Sequence, residues 1–454
     1  MKLKAFHAYD IRGHFGTDLT TDLAYKVAYF LPELLDTRRV LLGRDMRLSS
    51  PALHDAVLRG LIDAGAEVWD LGLSTTPFVY YVTARHGFKA SIQITASHNP
   101  KEDNGLKVSR ALALPVGYDS GLSTIERWIL EERPTPPAEV PGTVRDFDVR
   151  QEYVEFLNGF KKDFSNLKIG MDCSNGMASV FVHQLFGEQP IYLYDTLDGS
   201  FPNHEANPFQ PENVVDLQKL VIAQKCDVGV IYDGDADRVM FIDETGSFIA
   251  PDLIIALLGE YFIKERGEVG IVLEDIRSSK SVAEFLEPLG AQIAMWKVGR
   301  AFAAPRLREL GGVWGGEVAG HYYFRDFFYS DSGLLAAILV LNIVARLKRE
   351  GIRFSEMIAR IKHYENSGEI NFRVENKQAA MDAVKQHFMD AEKHTAFYDF
   401  DGYRVEFKNW WFNVRPSNTE PYLRFICEAT SKELLNEKIE EVKNLLVTRF
   451  GAKM

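Results

Sequence analysis

The chain has 454 residues, more than one ordinary hydrophobic core supports, which sets an expectation of three or four domains. Apolar residues make up 46% and charged residues 26%, an ordinary globular balance that excludes a disordered chain. The formal net charge of -12 argues against a nucleic-acid-binding surface, so any basic site must be local.

The first residues, MKLKAFHAYDIRG, lack the apolar core of a secretion signal. Within them AYDIRG sets Arg12 beside Gly13, serving either a site or the start of the fold. RVLLGRD ends a strand, and SSPALHDAVLRGLIDAG follows as a helix. Ser49 or Ser50 can cap that helix, Pro51 suits its first turn and Gly65 its stop. EVWDLG and ASIQIT read as further strands.

ITASHNP then places Ser97 directly before His98. A hydrolase nucleophile would call for G-x-S-x-G, which is missing, and neighbouring side chains on an extended segment point apart. A polar turn closed by Asn99-Pro100 is the plain alternative. ERPTPPAEVPG, from Glu132, reads as a linker or crossover.

KIGMDC, DVGVIYD and EVGIVLED repeat the strand–helix grammar, which predicts α/β layers with mostly parallel sheets. No fixed-period repeat is visible, although these units could be divergent copies of one design. DGDADR follows a buried-strand pattern and gathers Asp233, Asp235 and Asp237, a donor set for a hard cation. Glu244 falls where a calcium loop has its twelfth residue, but Arg238 stands where that loop needs glycine. Three carboxylates beside Arg238 suit magnesium with one more anionic ligand, and a phosphorylated Ser97 would offer it.

GGEVAGH sets Glu317 and His321 around glycines that permit close approach of a ligand. GLLAAILVLNIVARL, from Gly333, is interrupted by Asn342 and too short for a bilayer; a buried helix is expected. YRVEFKNWWFNV and RPSNTEPYLRFICEA lead into a closing helix. Thr430 and Glu433 would form its capping box, with Leu435, Ile439, Val442 and Leu446 on one face. This end reads as a smaller α+β domain. Arg415, Ser417, Asn418, Thr419 and Arg424 make either a phosphate cradle or a polar turn. Three separated cysteines without a C-x-x-C pair fit a reduced, cytoplasmic protein.

TASHNP, DGDADR, GEVAGH and RPSNTEP, in this order, resemble the α-D-phosphohexomutase superfamily and within it the bacterial phosphomannomutase/phosphoglucomutase group. The resemblance runs from Tyr9 to the C-terminal domain. It implies an α/β protein of four domains around a central cleft. Three are similar α/β domains, over 1–150, 151–250 and 251–366, and a mobile α+β domain covers 367–454. It further implies that Ser97 carries a phosphate completing a Mg²⁺ site of Asp233, Asp235 and Asp237, with Arg238 alongside.

That phosphate would pass to a hexose phosphate and return from a hexose 1,6-bisphosphate, moving phosphate between the 6- and 1-positions of mannose or glucose. Lys107 in NGLK would exchange the protons, with Arg12 and His321 as neighbours; as a base it needs a pKa lowered by surrounding cations. Tyr9, His98, Lys297, Arg300 and Glu317 would contact the sugar phosphate. Arg415, Ser417, Asn418, Thr419 and Arg424 would hold the phosphate not being transferred. Ala319 stands where the family usually has serine, and Arg300 where many bacterial members have histidine, so the hexose is left open. A phosphoglucosamine mutase, a sugar-phosphate phosphatase and a non-catalytic sugar-phosphate-binding protein are the rivals. No nucleic acid or membrane partner is expected, and the protein would be a monomer or homodimer.

Overall fold

The computed structural model describes residues 3–417 and 422–453, and their strands form four sheets. The first contains β1 (Ile11–His14), β2 (Arg39–Arg44), β3 (Glu67–Leu73), β4 (Ala90–Ile94), β5 (Asp103–Arg110) and β6 (Thr143–Asp146) in the order β1-β5-β4-β2-β3-β6. The second contains β7 (Ile169–Asp172), β8 (Ile191–Leu193), β9 (Val228–Tyr232), β10 (Val239–Asp243) and β11 (Phe248–Ile249), ordered β11-β10-β9-β7-β8. The third runs β13-β12-β14-β15-β16 from β12 (Ile271–Asp275), β13 (Gln292–Trp296), β14 (Trp314–Gly316), β15 (Tyr322–Phe324) and β16 (Ser330–Asp331).

These three sheets share one plan. A parallel trio (β3-β2-β4, β8-β7-β9, β13-β12-β14) is extended by two antiparallel strands (β5-β1, β10-β11, β15-β16). The middle strand of each trio ends in, or is followed directly by, an aspartate that accepts a hydrogen bond from the backbone two residues on. Asp45 receives Arg47 N at 3.0 Å, Asp172 receives Ser174 N at 2.8 Å and Asp275 receives Arg277 N at 2.7 Å. The expected divergent copies are therefore real, and D-M-R, D-C-S and D-I-R are their residual sequence signature. The proline-rich stretch is a crossover: it returns β6 to the first sheet, parallel to β3.

One continuous apolar core joins the first three units around the helix Gly333–Arg349. Asn342 interrupts the apolar run of that helix because its side chain serves a loop: its amide donates to Phe160 O at 2.8 Å and accepts from Lys162 N at 2.9 Å. Among the described residues no helix is long and apolar enough to cross a membrane. The last sheet is antiparallel, β17 (Glu365–Asn366), β18 (Ile370–Arg373), β19 (Ala396–Tyr398), β20 (Tyr403–Glu406), β21 (Trp410–Pro416) and β22 (Tyr422–Ala429), with its own core under helices Lys377–Ala391 and Lys432–Phe450. The closing helix is capped by Ser431, which accepts from Leu434 N, one residue later than the expected Thr430. In the early helix Ser50–Asp63 neither serine makes a side-chain cap: Ser49 accepts from Asn104 and Ser50 donates to Asp45.

Candidate active site

The shared plan places three loops at one equivalent position, between the last parallel strand and the first antiparallel one. In the first unit this is 95–102 with Ser97; in the second, 233–238 with the aspartates; in the third, 317–321 with Glu317 and His321. The three meet where the carboxyl ends of the parallel strands converge, the usual place for ligands on such sheets.

Ser97 is buried and adopts a left-handed φ of 53°. Its hydroxyl donates to Asp233 Oδ2 at 2.8 Å. Contrary to the expectation from an extended segment, His98 is not turned away. The left-handed turn brings its Nδ1 to 3.3 Å from Ser97 Oγ. Burial, reinforced by Arg238, Arg12 and Lys107, holds the imidazole well below its usual pKa, so His98 is neutral. The loop packs directly on the metal loop: a Cβ on Gly234 would lie 2.4 Å from Ser97 O, so only glycine fits there.

Asp233, Asp235 and Asp237 are buried, and each can offer an oxygen within 4.8 Å of the others. Asp235 Oδ1 and Asp237 Oδ1 receive no hydrogen bond despite being buried. Burial and then repulsion from Asp237 and Asp235 push Asp233 well above the ordinary carboxylate range. An all-oxygen set with unsatisfied lone pairs fits a hard cation, so the group could hold a metal ion. Glu244 accepts from Ser355 N at 3.1 Å, away from this set, which disposes of the calcium-loop alternative.

Lys107 Nζ lies 2.6 Å from both Asp235 Oδ2 and Asp237 Oδ2. Burial alone would lower its pKa, but the two carboxylates outweigh burial and raise it. With no cation on these carboxylates they favour the Lys107 ammonium, where the expectation was a pKa lowered by neighbouring cations. Arg12 donates to Asn99 Oδ1 at 2.7 Å and to Asp10 at 2.6 Å, fixing it over the serine loop. Arg238 Nε donates to His321 Nε2 at 2.9 Å, and His321 Nδ1 donates to Asp331 at 2.7 Å. Glu317 accepts from Tyr323 at 2.5 Å and from Gly299 N at 3.1 Å.

Arg300 donates to Asp331 at 2.9 Å and to Ala113 O at 2.8 Å, with its guanidinium 3.6 Å above the Tyr80 ring. Lys297 lies over the Phe302 ring at 5.5 Å, and Tyr9 bonds Val298 O beside it. Arg415 and Arg424 come within 3.2 and 3.0 Å of Glu369. Ser417 follows β21, its N–H donating to Tyr422 O at 2.9 Å. Asn418 and Thr419 lie outside the described residues.

Four further groups escaped the sequence reading. Arg47, buried, donates to the carbonyls of Ser97, Asn99, Pro100 and Asp103 and so holds the serine loop. Thr76 donates to Asp235. Arg277 makes a two-pronged pair with Asp275 and lies 3.8 Å from Glu369, joining Arg415 and Arg424 there. Asp331 anchors His321. Arg47 and Arg277 were findable, because each follows a strand-terminal aspartate in the repeated D-x-R signature; Thr76 and Asp331 carry no local signal.

A chain of three matched α/β sheets and one α+β unit, with serine, aspartate and glutamate loops facing one another, defines a phosphosugar-mutase architecture. The chain belongs to the phosphoglucomutase/phosphomannomutase family. Models of alpha/beta/alpha domains I, II and III match residues 3–134, 151–246 and 250–364, and the C-terminal domain model matches 369–445. It is 36% identical to a phosphomannomutase of Salmonella typhimurium, over 94% of this chain and 95% of that one. Identity is also 36% to a Xanthomonas campestris protein named for phosphohexose mutases, over 98% and 100%. A solved phosphoglucomutase/phosphomannomutase family protein from Burkholderia thailandensis superposes with a TM-score of 0.87 at 28% identity, over 99% and 98% of the chains. An Aspergillus fumigatus N-acetylphosphoglucosamine mutase solved with GlcNAc-6P and magnesium shares the fold, with a TM-score of 0.61 at 14% identity over 98% and 95%.

Proposed function

We propose that the protein is a phosphohexomutase that interconverts the 6- and 1-phosphates of mannose, glucose or both, with Ser97 as the phosphate carrier. The observation that carries this reading is the Ser97 hydroxyl, 2.8 Å from Asp233, inside a ring of cations contributed by Arg12, Lys107 and Arg238. Such a ring suits a group that arrives and leaves as phosphate, where charge neutralisation and positioning do most of the work.

Magnesium bound by Asp233, Asp235, Asp237 and the Ser97 phosphate would neutralise charge on the group in transit. Asp233 orients Ser97 Oγ. As the Oγ–P bond breaks, a new O–P bond forms to the free hydroxyl of the hexose phosphate. Lys107, as an ammonium, would give a proton to Ser97 Oγ as the Oγ–P bond breaks and be restored by the proton that the attacking hydroxyl loses; the same exchange runs backwards in the return transfer. Arg238 and Arg12 carry the negative charge of the moving group. Glu317 takes the sugar hydroxyls, and Ala319 leaves one fewer hydroxyl there than the family usually offers. Arg277, Arg415, Ser417 and Arg424, with Asn418 and Thr419, would hold the distal phosphate. The hexose 1,6-bisphosphate turns within this cleft before returning its other phosphate to Ser97. The three buried free thiols fit a reducing cytoplasm.

The test supplies mannose 1-phosphate, glucose 1-phosphate or glucosamine 1-phosphate with Mg²⁺ and a trace of hexose 1,6-bisphosphate. The expected result is 6-phosphate product from the mannose or glucose ester without inorganic phosphate, abolished by chelation and restored by Mg²⁺. Ser97→Ala should lower turnover by about 10⁴-fold or more, as loss of a nucleophile does, while sugar-phosphate binding persists. Stoichiometric phosphate release would make the protein a phosphatase, and inactivity on all three sugars would sink the mutase reading.

A further inference from the structure

Asp331 closes β16 and is fully buried, and both of its oxygens are engaged. Oδ1 accepts from Arg300 Nε at 2.9 Å and Oδ2 from His321 Nδ1 at 2.7 Å. On the far side of the imidazole, Nε2 accepts from Arg238 Nε at 2.9 Å. Both guanidinium nitrogens are obligate donors. All three bonds are satisfied together only when His321 carries its proton on Nδ1 and Asp331 is ionised. Arg238 Nε, anchored in this way, lies 3.9 Å from both Asp233 and Asp237, and its two terminal amino groups are unbonded to any described residue. Arg300 is itself pinned from the first unit by the Ala113 carbonyl and the Tyr80 ring.

We infer that Asp331 is a positioning residue for phosphoryl transfer: by fixing the His321 tautomer it aims Arg238 at the migrating phosphate. Arg300 serves by holding Asp331 and not by touching the sugar phosphate. The inference rests on the mutase reading, and it explains how an arginine can occupy position 300. The line of donors runs from Arg300 to Asp331, from His321 to the same carboxylate, and from Arg238 to His321.

An isosteric amide cannot reproduce it. In Asp331→Asn the NH2 either meets the Arg300 N–H or forces His321 into the other tautomer, whose Nε2–H meets the Arg238 N–H. The expected result is a kcat lowered by about 10- to 100-fold, typical for groups that orient a site residue, with KM nearly unchanged. In an Arg238→Ala background the same substitution should add no further loss. A glutamine carbonyl lies the same number of bonds from Cα as Arg300 Nε, so Arg300→Gln supplies an acceptor for the NH2 that Asp331→Asn introduces. Asp331→Asn/Arg300→Gln should therefore recover part of the lost kcat. An unchanged kcat in Asp331→Asn, losses that multiply with Arg238→Ala, or a double variant no better than the single would each overturn the inference. ¹⁵N-histidine NMR of the wild type gives a test free of folding defects: His321 should be protonated on Nδ1, and protonation on Nε2 would overturn it. Wild-type turnover of hexose 1-phosphates decides the mutase reading separately.

Discussion

Arg47 is 1% exposed and donates to three backbone carbonyls of the serine loop and to that of Asp103 at the start of β5, while pairing with Asp45 at 3.3 Å. A flexible loop would let Ser97 wander from Asp233; a guanidinium with five fixed donors replaces that freedom by one geometry. Its face also lies 5.1 Å from the Phe201 ring, so the first unit's loop is tied to the second. Replacing Arg47 by methionine keeps the volume but leaves Asp45 buried without its partner and four carbonyls without donors. Breaking a buried pair in this way costs about 3–5 kcal/mol, which urea unfolding should register. A cost below about 1 kcal/mol, the scale of one exposed pair, would show that the loop supports itself.

At the scale of elements, the backbones of the serine loop and the aspartate loop meet closely at Gly234. Gly234→Ala pushes its new Cβ into Ser97 O, 2.4 Å away, and neither loop can yield without moving Ser97 or the aspartates. The overpacking should cost about 1–3 kcal/mol of stability. Turnover should fall far more than the stability loss accounts for, which kinetics on the folded fraction would measure. An alanine variant with wild-type kcat would mean that the spacing of these loops is unimportant. Ser97 and the three aspartates were legible from sequence because each motif is contiguous and follows a recognisable buried strand. The side chains that orient them were not: Thr76 reaches Asp235 and Arg300 reaches Asp331 only through tertiary packing, which leaves no local pattern. His98 was misjudged because one left-handed residue reverses the side-chain alternation assumed for extended chain. That the three α/β units are alike was expected; their shared strand order and direction were not legible, since these are properties of pairing, and only D-x-R and D-x-S survive as its trace.

Across the whole molecule, the fourth domain docks on the third through Arg404, which donates to Ile276 O at 2.8 Å and Ser278 O at 2.6 Å. Two acids share that interface. Burial, with Asp275, Asp252 and Glu406 nearby, overrides Arg404 and raises Glu274 to about 8. Burial and then Asp252 raise Glu428 to about 7. Each folded-state pKa exceeds its unfolded value, so the folded protein holds more protons between about pH 5 and 8. Stability should thus decline as pH rises through that window, by up to about 1.4 kcal/mol per unit for each fully shifted group. Glu274→Gln should flatten the decline, raising Tm at pH 8 while changing it little at pH 5; a parallel decline in both proteins would exclude Glu274 as its source. The matched loops have a last consequence. On the proposed roles each sheet presents a single reagent: phosphate carrier, cation or sugar. Residues 317–320 then behave as an interchangeable cassette: the hexose accepted is altered by exchanging four residues of one hairpin, with His321 kept in place to hold Arg238.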